Sequence, residues 1–299
     1  MSNDALTLIR EESDRLATVL TATDPDRHVP SCPAWTAADL LWHLTEVHEF
    51  WGAILATGAL TDEQAGSVEE QIAPRPEDVA QLCERRAAAT DLLLGQLARR
   101  SDDEPAWFWF AADRTVGIIR RMQTHEATIH RVDAELAAEA PVTRIAPSVA
   151  LAGLQHMIEV MWPAQLDWVP DWAETTPVAR ADLAPDGQEP VTVLIRRWRG
   201  TRPRDGRSLD VPVAQPMPQE RRSPATGERE AGTVGARGAG SLRELPAAEV
   251  TGTAQALNLW AWGRSLALET VAGATPPMRI TGDDRAVAEL AALIDEGIG

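Results

Sequence analysis

An α+β protein is predicted, with a four-helix bundle over residues 1–140, a linking helix within 141–165, and a small α+β domain over 166–299. Three observations predict it. Apolar residues recur at steps of three and four through the first 140 residues, the stretch from Pro141 to Pro147 has the composition of a linker, and short β-branched runs with turn residues replace the helical period beyond it.

The bundle is read helix by helix. Leu6, Ile9, Leu16 and Leu20 form the first apolar stripe, leaving Glu11, Glu12, Asp14 and Arg15 for the wet side. After a loop from Thr23 to Pro33, a second helix starts at Thr36, whose hydroxyl can cap the amide near Asp39, and carries Leu40, Leu44, Val47, Trp51 and Ile54. A third runs from about Pro76 to Arg99, with Val79, Leu82, Leu92, Leu93 and Leu97 inward. A fourth spans Arg114 to Ala138, with Ile118, Ile119, Met122, Ile129, Val132 and Leu136. Four amphipathic helices of this length pack most simply as a bundle.

Ser148 to Trp162 reads as the linking helix, Val191 to Ile195 as a strand, and Asp284 to Glu296 as a last helix. The stretch from about 200 to 240, rich in Pro, Gly, Arg and Ala, reads as a long flexible insertion. The arginines from Arg196 to Arg207 could meet an anion, but a solvated loop is the expected use.

Composition narrows the function. The 299 residues carry 45 acidic and 28 basic side chains, a net charge of -17, which disfavours nucleic acid as partner. Hydrophobic residues at 44% suffice for a substantial core. Cys32 and Cys83 make neither a disulfide framework nor a zinc ribbon. The opening MSNDALTLIREESDRL is too charged for a signal peptide, and no apolar run reaches the length of a membrane span, so a soluble cytoplasmic protein is expected. The aromatic run Trp107 to Phe110, with Trp42 and Trp51, could line a pocket, although core packing is the expected use.

The chemistry-bearing phrase is RRMQTHEATIHRVDAE. Glu126 and His130 are four residues apart and project within roughly 40° of each other on a helix, whereas His125 and His130 diverge by about 140° and cannot form the zincin HExxH pair. His43, between Leu40 and Val47 at helical steps, points toward the bundle interior. His43, Glu126 and His130 would make a two-His, one-carboxylate site with an open coordination position, for which zinc is the first choice and iron, nickel or manganese the alternatives. The plain alternative is a satisfied core histidine beside a helical surface pair. His48 and His125 aim elsewhere, which suggests surface roles or support of the ligands, and Cys32 lacks a positioned base, which suggests a packed thiol.

Residues 29–55, VPSCPAWTAADLLWHLTEVHEFWGAIL, together with RRMQTHEATIHRVDAE, resemble the mycothiol-dependent maleylpyruvate isomerase family, a branch of the DinB-like metalloenzymes. EVTGTAQALNLWAWGRS and MRITGDDRAVAELAALI resemble that family's C-terminal domain. The resemblance implies a DinB-like bundle with a divalent metal, usually zinc, on His43, Glu126 and His130, and mycothiol, the low-molecular-weight thiol of actinobacteria, as cosubstrate. It implies thiolate attack on a small electrophile, giving an S-transferase if the adduct persists and a cis-trans isomerase if a double bond rotates and the thiol leaves. It also implies an arginine that handles an anionic substrate, for which Arg264 is the best match and Arg279 a rival. A thiol-independent metalloenzyme of specialised metabolism and a non-catalytic binding protein stay open, as does a monomer against a homodimer.

Overall fold

The computed structural model describes residues 2–217, 242–271 and 278–297. In chain order the first elements are helix α1 (Ser2–Thr21), a short antiparallel hairpin of β1 (His28–Val29) and β2 (Cys32–Thr36), then α2 (Ala37–Thr57), α3 (Asp62–Glu69), α4 (Val79–Ala98), α5 (Val116–Ala137) and α6 (Pro147–His156). Two compact units emerge, the first comprising Met1–Gly153 with Arg264–Thr275 and the second Leu154–Gly263 with Pro276–Gly299. The division falls inside α6, later than the change of composition at residue 141, and the first unit takes back a segment from far along the chain.

Helices α1, α2, α4 and α5 build the first unit around Ile9, Leu16, Leu40, Leu44, Ile54, Leu93, Leu97 and Ile119, all fully buried. The helix starts follow from their caps. Thr36 accepts from the Asp39 amide while Asp39 accepts from the Thr36 amide, the reciprocal arrangement expected for α2, and Asp78 and Thr115 cap α4 and α5.

Some expectations fail in detail. Val79 and Leu92 are exposed, because α4 starts only at Val79 and turns Leu82, Leu93 and Leu97 inward instead. Glu12 is not on a wet face: it accepts a 2.5 Å bond from Arg131, a buried guanidinium that also donates to Glu135 at 2.9 Å. Glu135, fully buried, accepts further bonds from Arg15 and Thr143, so each buried charge is paired and bonded. The aromatic run packs inside this unit, with Trp51 against Trp107 and Phe108 and the Trp107 indole donating to Asp62.

In the second unit the helical chain relaxes into a π-turn at Met157–Met161, continues in the short α7 (Trp162–Ala164), and enters a five-stranded sheet. Its strands are β3 (Glu174–Pro185), β4 (Val191–Thr201), β5 (Ser208–Pro216), β6 (Ala247–Gly252) and β7 (Arg279–Gly282), in the order β5-β4-β3-β6-β7. The β3–β6 pairing is parallel and the others antiparallel. Helices α8 (Ala254–Ala261) and α9 (Asp284–Glu296) pack against it.

The insertion expected near 200–240 is therefore partly wrong: residues 208–216 are strand β5, paired along its length with β4. Residues 218–241 lie outside the described residues. Arg197 and Arg199 lie on β4 and pair with Glu289 and Asp210, against the expected loop, whereas Arg202, Arg204 and Arg207 lie in the largely exposed turn between β4 and β5, with Arg202 on Asp205.

Candidate metal centre

The site grows from two helices and a hairpin of the first unit. The capped start of α2 sets the phase that brings His43 half-buried against α5, while α5 presents Glu126 and His130 one turn apart on the face next to Ile129 and Met122. His130 Nε2 lies 2.9 Å from Glu126 Oε2, and His43 Nε2 lies 3.9 Å from the same oxygen. One ligand atom from each of the three residues falls within 4.8 Å of the others. Ligands about 2.0–2.2 Å from a tetrahedral ion sit roughly 3.4 Å apart, so the wider separations would have to close by up to roughly 1.4 Å and the His130–Glu126 pair to open by roughly 0.5 Å around one ion.

The donors have the chemistry such an ion needs. His130 Nδ1 is 2.9 Å from Asp133 Oδ2, and that bond leaves Nε2 facing Glu126 and His43. Burial alone would depress the His130 pKa, but bonds to Asp133 and Glu126 outweigh it and push it up to about 9. Glu126 would be raised by burial, and His130 and His43 instead hold it well below the usual carboxylate range. A cation at this point, proton or metal, is electrostatically favoured. The Trp35 ring lies 4.6 Å from the His43 ring and 5.9 Å from the His130 ring, giving the pair an aromatic wall.

Behind the imidazoles sits Asp133, which is fully buried and is the residue that motif reading missed. Its Oδ1 accepts from Ser31 Oγ at 2.5 Å and Arg264 Nε at 3.0 Å, and its Oδ2 from His130 Nδ1 at 2.9 Å and Arg264 Nη2 at 2.8 Å. Despite burial, the Arg264 charge and the His130 bond keep this carboxyl ionised far below its ordinary range. The i, i+3 spacing of His130 and Asp133 was the available signal.

Arg264 precedes a 3₁₀ turn at Ser265–Glu269 and belongs to the first unit. Its side chain is 12% exposed, with two nitrogens on Asp133 and Nη2 also 3.3 Å from Cys32 Sγ. Arg279 is exposed on β7 in the second unit. Both cysteines are free thiols; burial first, and Asp133 next, push Cys32 up to about 11. His48 and His125 are buried, not surface residues. Among the described residues no helix is long and apolar enough to cross a membrane.

By class, then, the first unit is a helical bundle with two imidazoles and a carboxylate converging between two of its helices. Residues 6–135 match the mycothiol maleylpyruvate isomerase N-terminal domain, a stretch that contains all three converging residues. Two solved structures, of the mycothiol-dependent maleylpyruvate isomerase and of a histidine-to-alanine variant of it, align with 14% and 13% identity. Each has a TM-score of 0.49 and covers 92% of this chain and 96% of its own. No curated protein matches the chain.

Proposed function

We propose that the chain is a divalent-metal-dependent enzyme that uses mycothiol against a small electrophile, as an S-transferase or a maleylpyruvate-isomerase-like cis-trans isomerase. The observation that carries this reading is the convergence of His43, Glu126 and His130 within one family-matched domain. Zinc suits two imidazoles and one carboxylate with a position left open.

A bound divalent ion would supply a Lewis acid that lowers the pKa of a thiol, so that thiolate exists at neutral pH. The protein's own groups do the rest. His43, Glu126 and His130 would hold the ion, and Trp35 walls the two imidazoles. Burial pushes the Cys32 thiol up to about 11, which favours a cosubstrate over Cys32 as the source of the attacking sulfur. When that sulfur adds to an electrophilic carbon, a C–S bond that persists gives transfer; one that breaks after bond rotation releases the thiol and gives isomerisation.

Metal analysis of the purified chain beside His43→Ala and Glu126→Ala tests the centre: about one equivalent in the wild type and a loss of at least tenfold in affinity in each variant are expected. Stoichiometric metal independent of both residues would refute it. Incubation with mycothiol and a panel of small electrophiles that includes maleylpyruvate should give turnover beyond one equivalent with at least one of them. Saturation at one equivalent identifies a carrier, and equal turnover without thiol identifies thiol-independent chemistry.

A further inference from the structure

We infer that Arg264 serves the metal centre through Asp133 and His130, as a positioning residue. The inference rests on the metal-binding reading above and deepens it.

The geometry is that of a built support. A metal-bound imidazole must present one nitrogen unprotonated to the ion, and the partner of its other nitrogen decides which one that is. For His130 that partner is Asp133 Oδ2 at 2.9 Å. A carboxylate can swing about its χ angles unless both oxygens are held. Here the Arg264 fork holds both, Nε to Oδ1 at 3.0 Å and Nη2 to Oδ2 at 2.8 Å, and Ser31 adds a 2.5 Å bond to Oδ1.

Parallel bonds of this kind fix a plane as well as a distance, which a lysine ammonium cannot do. Two nitrogens of Arg264 are thus directed at a fully buried carboxylate, and Nη2 also faces Cys32 Sγ, on a side chain with little exposure. Withdrawing the Arg264 fork would leave Asp133 buried without its main counter-charge, an arrangement that is strongly disfavoured.

The test is zinc affinity of the full chain by chelator competition, with the visible spectrum of the cobalt-substituted protein, for wild type, Asp133→Asn, Arg264→Gln, Arg264→Lys and the Asp133→Asn/Arg264→Gln double variant. Replacing Asp133 should weaken zinc roughly 10–100-fold, Arg264→Gln should weaken it in the same direction, and the double variant should be no worse than the poorer single one. Arg264→Lys should keep the fold and shift the cobalt bands, since it retains charge but not the fork. A merely structural role would lower thermal stability and leave both metal readouts unchanged, which would overturn the inference. Unchanged metal readouts in Arg264→Lys decide the same way if Arg264→Gln does not fold. A wild type that binds no zinc overturns the proposed function and this inference together; a wild type that binds while the Arg264 variants bind equally overturns this inference alone.

Discussion

His48 illustrates how differently two histidines on one helix can be used. Its Nδ1 lies 2.9 Å from Thr90 Oγ1, and that hydroxyl donates to the Arg86 carbonyl at 3.0 Å, so the imidazole is the donor in its own bond. Burial, with the Arg86 charge, lowers its pKa to about 3. An unfolded histidine takes a proton near pH 6.5, so from there down to about pH 3 the unfolded chain binds a proton the native one refuses, and stability falls as pH falls. In urea melts across that window, His48→Gln should flatten the decline by up to about 1.4 kcal/mol per pH unit; an unchanged slope would count against the assignment. Residue by residue, the convergence of His43, Glu126 and His130 was legible because two members sit at helical spacing and the third is framed by apolar neighbours. The true burial of His48 was not, because the stripe of α2 was read through Val47, while Thr45 and His48 are the side chains that face the core.

At the scale of elements, local chemistry was readable and small residues were not. The capping box of α2 was visible at Thr36 and Asp39. The similar Thr61-to-Gln64 box that starts α3 was overlooked, since eight residues carry too little apolar period to attract notice. Strand β5 was hidden by Pro212 and Pro216, yet β5 lies at the sheet edge, where proline is tolerated. Strand β3 buries Ala179 and Ala181, a real alternation whose hydrophobic signal is faint. Close approach of α2 to α4 depends on Gly52, where an added Cβ would lie 2.9 Å from Leu92 Cγ and 3.2 Å from the Leu93 nitrogen. Gly52→Ala should therefore cost about 1–3 kcal/mol in a denaturation experiment. Gly95→Ala, with nothing within 4 Å of the new carbon, should be neutral or stabilising by up to about 1 kcal/mol. Equal effects would show that the helix contact is looser than it looks.

For the whole molecule, the instructive error concerns where the first unit ends. Composition placed a boundary near residue 141, but the unit also contains Arg264–Thr275, where Val142 bonds to the Thr270 carbonyl and pairs with Val271. Arg264 and Asp133 are 131 positions apart, and no periodicity in either stretch announces that they meet. A fragment of residues 1–153 should consequently melt earlier and hold zinc more weakly than the full chain, and appending residues 264–275 through a glycine-rich linker should recover part of both. Identical melting and zinc affinity in the two fragments would show that the returning segment contributes nothing.

Because translation runs from the amino end, the helices bearing the three ligands leave the ribosome long before Arg264 does. A newborn chain can bring the imidazoles together early, yet the clamp on Asp133 is added only after a further 131 residues have been made. The bracing of His130 through Asp133 is thereby deferred until the returning segment has emerged.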